Sequence, residues 1–501
     1  MPAAVNPSLY QINTRIWLRE LSAKLGKQIP LADVPEAELD ALAAQGFDWV
    51  WLLGVWQTGP QCRAVARQHP DLRPQYFALV PDLKEEEILA SPFALQSYVV
   101  DATYGGDMAL SHLRQRLQSR GLKLLLDFVP NHTGLDHPWV REHPEYYVAG
   151  TADLLAREPQ NYRRIATRAG EKILAHGRDP YFPGWTDTLQ LNYRHQGLRA
   201  AMVEELLKIA TQCDGVRCDM AMLVLPEVIQ RTWGQTALPS DGSAPVDTSF
   251  WTEAIAAVKH VHPDFLFMAE TYWDLEWTLQ QQGFAYTYDK KYYDRLLLRD
   301  AHAVRGHLHA DPIYQHQSVR FLENHDEPRA AAAILPAAYE ATAVLAFLVP
   351  GLRFFHEGQF EGRRQRLMIQ LGRRPVETPN PAVHSFYDRL LAILRHPEVR
   401  DGQWHLLGCR PAWDGNPTWG QFLTFGWRGE GGQRLLVTVN FGPDQGQCYV
   451  TLPTDFLPEA KISLRDLLHP VHYEREQLAF RGLYLDLPAW GYHVFAVEPL
   501  P

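Results

Sequence analysis

Along its first 400 residues the chain alternates short apolar runs with longer amphipathic stretches. Candidate strands lie near residues 9–18, 47–56, 122–129, 215–219, 265–270, 283–288, 318–323 and 352–356. Candidate helices between them include Asp107–Arg120, Leu198–Thr211, Thr252–Val261 and Ala337–Phe347. Strand followed by helix, repeated, predicts a parallel sheet covered by helices, and eight such units close a (β/α)8 TIM barrel. A barrel of that kind allows about 31 residues per unit, yet 92 positions separate Asp127 from Asp219. The surplus, about Thr133–Asn192, reads as a small domain inserted after the third strand. Beyond residue 400 Gly and Pro become denser, and short alternating runs appear at Phe422–Trp427, Leu435–Phe441, Cys448–Leu452 and Tyr492–Val497. These predict antiparallel strands. The expected organisation is a barrel from 1–132 and 193–400, an inserted domain at 133–192, and a C-terminal β-sandwich domain at 401–501.

Four of the apolar runs stop at acidic and histidine residues: Leu124–His132, Gly215–Asp219, Phe265–Glu270 and Phe321–Asp326. In a barrel the C-terminal strand ends surround one pocket, so these acids converge. Burying so many charges without a substrate would be costly. A lone Asp at a strand end reads more simply as a helix cap, but four such ends do not. Cleavage of a glycosidic bond with retention uses two carboxyl groups about 5–5.5 Å apart, one ionised to attack and one protonated to assist departure. Arg217 lies two residues before Asp219, so on a strand both side chains share a face, and the guanidinium favours ionised Asp219. Glu270 follows an apolar run and precedes Tyr272 and Trp273. Burial there, with other carboxylates nearby, suits it to acid–base duty.

With these segments in view, the chain resembles the alpha-amylase family of glycoside hydrolases. Asp127–His132, Gly215–Asp219, Glu270 and Asn324-His325-Asp326 stand in the order and approximate spacing of that family's signature segments. The resemblance extends to the Leu9–Trp17 opening, the insertion and the C-terminal domain. It implies Asp219 as nucleophile, Glu270 as general acid and then base, and Asp326 as stabiliser of an oxocarbenium-like transition state. It implies that His132, Arg217 and His325 contact the sugar, that Tyr98 is the aromatic on which the sugar stacks, and that Asp127 is structural. The implied reaction is double displacement through a covalent glycosyl enzyme.

The sequence departs from that family's pattern in three places. Starch-degrading members often carry a Lys-His pair after the nucleophile, where this chain has Met220-Ala221-Met222. Calcium-dependent members often place an Asp where Gln190 stands, and a hard cation wants carboxylate oxygens. Asn131 keeps another familiar ligand position, so calcium stays open as an alternative, but no cofactor is expected to be required. The segment after the eighth strand, His356–Arg364, is more basic than usual, and reads as a solvated rim loop or an acceptor subsite.

Composition narrows the remaining choices. Hydrophobic residues make up 46% and charged residues 21% of 501, which excludes a disordered, collagenous or coiled-coil chain. A net charge of −10 lacks the attraction that phosphate-backbone binders use, so no nucleic-acid partner is expected. The longest uncharged apolar run, Ala341–Leu352, is too short to span a bilayer, and no membrane partner is expected. Five scattered cysteines without a CxxC, and an N-terminus without a basic or apolar leader, suggest a cytoplasmic setting. His302, His307, His309 and His316 match no metal motif and read as surface residues. The run Asp289-Lys290-Lys291 reads as solvated. Among the fifteen Trp, Trp49, Trp51 and Trp56 suit the core, while Trp185, Trp273 and Trp277 could serve as sugar platforms.

The expected function is hydrolysis of α-glucans or malto-oligosaccharides by a retaining α-glycosidase. The alternatives are a transglycosylase or isomerase with the same chemistry acting on malto-oligosaccharides, sucrose or trehalose, and, more remotely, a non-catalytic carbohydrate-binding protein.

Overall fold

The computed structural model describes residues 4–453, 456–457, 461–476 and 482–500; Met1–Ala3 of the N-terminal stretch discussed above lie outside them. Eight parallel strands close into a barrel. They are β1 (Ser8–Asn13), β2 (Trp49–Leu53), β3 (Lys123–Phe128), β4 (Gly215–Cys218), β5 (Leu266–Ala269), β6 (Tyr286–Tyr288), β7 (Ser318–Arg320) and β8 (Leu352–His356). The ring closes because β1 pairs in parallel with both β2 and β8. Strands covered on both faces must be apolar almost throughout, and β2, β4 and β8 are buried at every position. The four expected helices form, at Gly106–Gln118, Gln196–Ala210, Phe250–Val261 and Tyr339–Phe347.

The apolar opening is not one strand to residue 18. It ends at Asn13, whose side-chain oxygen accepts from the Ile16 N–H, and a helix runs on from Thr14 to Leu25. An Asn there satisfies one of the helix's orphan donors, so the same apolar residues switch from a period of two to one of 3.6.

Two polar features expected at the surface are buried instead. Asp289 and His307 are 2% and 7% exposed. The Asp289 carboxylate caps the following helix through the Tyr292 N–H, pairs with Arg320 of β7, and lies 2.7 Å from His307 Nε2. Burial alone would raise the Asp289 pKa, but Arg320 and His307 outweigh it and hold it below the usual carboxylate value.

In the insertion, His132–Gly134 pairs antiparallel with Thr188–Gln190, and a hairpin joins Tyr162–Thr167 to Gly170–Ala175. Among the described residues the C-terminal part is two antiparallel sheets, one of six strands and one of three. Their facing side chains, among them Phe422, Leu436, Cys448 and Leu485, form one core. This sandwich docks on the barrel through Trp427, fully buried, whose indole N–H donates to the Leu348 carbonyl at 2.7 Å. Among the described residues no helix is long and apolar enough to cross a membrane.

Candidate active site

A pocket of about 590 Å³ opens at the C-terminal end of the barrel, with Asp219, Glu270 and Asp326 in its lining. They stand just past β4, β5 and β7, so three strand ends deliver three carboxylates to one cavity. Beneath them lies Arg217, fully buried. One guanidinium nitrogen donates to Asp219 Oδ1 at 2.5 Å, and the other stands 2.8 Å from Glu270 Oε2. The same guanidinium lies 5.3 Å from the Trp51 ring centroid and 5.2 Å from that of Phe93. Arg217 is therefore not in the pocket lining. It meets the carboxylates from behind.

Glu270 is held at both oxygens. The Met220 N–H donates to Oε2 at 2.6 Å, and the Tyr272 hydroxyl donates to Oε1 at 2.9 Å. Met220 reaches this position with φ of 44°, a left-handed conformation uncommon for a non-glycine residue. Burial, the largest influence, together with the charges of Asp219 and Asp326, outweighs Arg217 and pushes the Glu270 pKa up to about 7. Burial also raises Asp219, against the pull of Arg217. Only Asp219 receives the short charge-assisted hydrogen bond from the guanidinium, which favours its ionised form. Desolvation would raise Asp326 too, but His325, with Nε2 2.9 Å from Oδ2, and the guanidinium groups of Arg217 and Arg366 hold it down at about 2. Three acids of one type thus occupy three different electrostatic settings.

His325 is 5% exposed; its Nδ1 meets the Gln11 amide at 2.9 Å, and it too stays out of the pocket lining, behind Asp326. His132 does line the pocket, 5.2 Å ring to ring from Trp185, and burial lowers its pKa to about 4, leaving a neutral imidazole. Asp127 is fully buried and accepts from the Trp51 indole at 3.0 Å and the Gly54 N–H at 2.8 Å. Gly54 has φ of 78°, and a Cβ there would meet Pro92 at 2.8 Å, so glycine lets this turn close over Asp127.

Tyr98 does not take the stacking place assigned to it. It lies in the strand Leu95–Val100, 6% exposed, with its ring against Phe128. Its hydroxyl donates to the Val129 carbonyl at 3.1 Å and accepts from the Val129 N–H at 2.9 Å. The aromatic of this stretch that does enter the pocket lining is Phe93, five residues earlier. Both sit in the segment Ser91–Tyr98. Position separates them: Tyr98 is inside a strand with its polar tip paired, whereas Phe93 sits in the preceding loop, where binding residues concentrate. Phe93→Ala should weaken sugar binding, raising KM by about tenfold, and should also lower Tm, because the ring is buried against Arg217 and His325. Tyr98→Phe should cost about 1–3 kcal/mol of stability by leaving the buried Val129 peptide unpaired, with KM unchanged. Calorimetry alongside steady-state kinetics separates the two.

Trp185 lines the pocket, while Trp273 stands three residues beyond Glu270 with its ring 5.2 Å from that of Tyr181. Trp277 is 44% exposed and lines no part of the pocket. In the segment after β8, His356–Phe360 is buried, Glu361–Arg363 is half-buried and Arg364 is exposed, and Glu357 pairs with Arg374 at 3.2 Å. The Gln190 amide nitrogen donates to Asn131 Oδ1, to the Asn131 carbonyl and to the Leu191 carbonyl at 2.9, 3.0 and 3.1 Å. An N–H donor thus fills the place where calcium would need an acidic ligand, and this donor set does not fit a hard cation.

The family model for the alpha-amylase catalytic domain matches residues 94–366, more than half of the chain. The chain belongs to the alpha-amylase family. Curated relatives include Alpha-amylase MalA of Haloarcula japonica, 28% identical over 255 residues, which are 49% of this chain and 33% of that protein. Another is Alpha-1,4-glucan:maltose-1-phosphate maltosyltransferase of Bifidobacterium longum, 25% identical over 244 residues, 47% of this chain and 25% of that one. The chain thus spans a third or less of the length of these relatives. Among solved structures, the noncanonic maltogenic alpha-amylase AmyB from Thermotoga neapolitana superposes with a TM-score of 0.68 at 18% identity, covering 99% of both chains. An alpha-amylase from Lactobacillus plantarum gives 0.65 at 20% identity, over 98% and 99%. At these identities the structural likeness establishes the fold.

Proposed function

We propose that this alpha-amylase family member is a retaining α-glycosidase that hydrolyses α-glucosidic bonds of α-glucans or malto-oligosaccharides. The observation that carries the reading is the single buried guanidinium shared by Asp219 and Glu270. Two carboxylates bridged by one planar cation are held side by side, which supports the short separation that retention uses. Asp219 attacks the anomeric carbon as the glycosidic bond breaks, and Glu270 gives its proton to the departing oxygen. Water then attacks the anomeric carbon as its ester bond to Asp219 breaks, releasing the carboxylate, and Glu270 takes the proton from that water. Asp326 stabilises the positive charge that develops on the ring in both steps, while Phe93 and the neutral His132 hold the sugar. The names of the curated relatives support an α-glucan as substrate.

The test is a product profile on maltoheptaose with NMR of the first products. The α-anomer should appear first and mutarotate later; the β-anomer first would overturn the reading. The first step needs Glu270 protonated, so activity is lost as pH rises through its pKa. Above about pH 7 kcat/KM should fall about tenfold per unit, a limb that belongs to the coupled carboxylate pair. A flat profile from pH 6 to 9 would argue against Glu270 as the acid. Calcium is not part of the proposal: prolonged EDTA treatment should leave Tm and activity unchanged, because the Gln190 amide already ties Asn131 to Leu191.

One observation favours transfer to a sugar as a second reading. Next to the acid, Tyr181 and Trp273 form an aromatic pair over which the Arg231 guanidinium lies, a surface suited to an acceptor sugar. Products longer than the substrate would identify transfer.

A further inference from the structure

In the barrel the ring order is β1, β8, β7, β6, β5, β4, β3, β2. Glu270 follows β5, and β5 stands directly across the ring from β1. The leaving group must lie on the Glu270 side, because the proton passes straight to its oxygen. The part of the substrate that becomes bound to Asp219 therefore points toward the loops flanking β1, those after β2 and β8.

These loops are not open. After β2 the chain folds into helices Pro60–Gln68 and Leu72–Leu79. The segment after β8 packs against them: Ala66, Tyr76, Leu367 and Leu371 share one apolar cluster. Arg15 joins the two segments by donating to the carbonyls of Ala90 and Ile369 at 2.9 and 3.1 Å. On the other side the first helix is tied to the insertion. Cys62 Sγ donates to the Asp187 carbonyl at 3.2 Å, and Asp136 accepts from the Gln61 N–H at 2.9 Å. Three segments thus make one continuous wall.

The inner face of that wall brings Ala66, His69, Leu72, Asp187 and Ile369 into the pocket lining. Asp187 is the acid among them. It is half-buried, its own backbone N–H meets the carboxylate, and burial pushes its pKa up to about 6. A carboxylate that lines a cavity offers several acceptor lone pairs and is suited to paired hydroxyl donors. The hydroxyls of a sugar ring provide such pairs.

We propose that this wall makes the glycone end of the pocket blind, and that Asp187, beside His69, binds the terminal non-reducing sugar. The enzyme then removes short units from chain ends instead of cutting within chains. This rests on the α-glucan hydrolase reading and adds where along the chain the cut falls.

The test compares reduced maltoheptaose with the same compound carrying a 4,6-O-ethylidene bridge on its terminal non-reducing sugar. The free-ended substrate should give one short product from the first turnovers, and the blocked one should be cut at least about 100-fold more slowly. Comparable rates on both, with fragments of every length, would overturn the blind end while leaving the hydrolase intact. If neither is cut, the hydrolase reading fails and the inference falls with it. Asp187→Asn should raise KM on the free-ended substrate by about tenfold. An unchanged KM would overturn the role given to Asp187.

Discussion

Asp219→Asn should lower kcat by about 10⁵-fold while the protein keeps its fold and its affinity for malto-oligosaccharides. The amide matches the carboxylate in shape and can still accept from Arg217, so the buried guanidinium keeps this partner as well as Glu270. It cannot form the glycosyl ester. Titration calorimetry with maltotetraose should therefore give a Kd close to the KM of the parent. A smaller variant, Asp219→Gly, leaves a hole on the face opposite the acid. Azide entering it should restore turnover of an aryl α-glycoside and yield the β-glycosyl azide, a product that only an attack from the Asp219 side can make. Full activity in Asp219→Asn would end the nucleophile assignment.

The second large effect is on stability. Arg217 is the cation that opposes the charges of Asp127, Asp219 and Glu270 together. Arg217→Met keeps much of the volume but leaves those carboxylates buried without it. Breaking a buried pair this way costs about 3–5 kcal/mol. In the variant the carboxylate pKa values rise further above their unfolded values. The native state then binds more protons than the unfolded one, and stability falls as pH rises. Denaturant titrations should show a larger deficit at pH 8 than at pH 5, and the double variant Arg217→Met/Asp219→Asn should recover part of it. Equal deficits at both values would mean that Arg217 serves packing alone.

The barrel was readable because a strand covered on both faces must be a run of apolar residues, and eight such runs stand out. The acids were readable for a related reason: Asp219, Glu270 and Asp326 each end an apolar run where a buried charge needs a purpose. What could not be read depended on contacts distant in sequence. Tyr98 and Phe93 are equally aromatic, and only the pairing of Tyr98 with the Val129 peptide shows which one is spoken for. Arg217 shares a strand face with Asp219, as its spacing implied, but nothing local showed that it lies under the pocket floor. Asp289 and His307 looked solvated because their partner, Arg320, comes from another strand. The helices at Pro60–Leu79 carry mixed polar and apolar residues, and they become a wall only against Leu367–Leu371.

The paired ends of the insertion have a consequence for how such an enzyme diversifies. His132–Gly134 and Thr188–Gln190 lie side by side, so the chain leaves the barrel and returns at one seam. Whatever lies between can be lengthened, trimmed or exchanged as a cassette without moving any barrel strand. The seam itself is not neutral, because His132 faces the pocket and Gln190 holds the ribbon's far end to Asn131. A graft at this point keeps the chemistry only if it carries both residues with it, so new specificity can be acquired around a catalytic centre that stays in place.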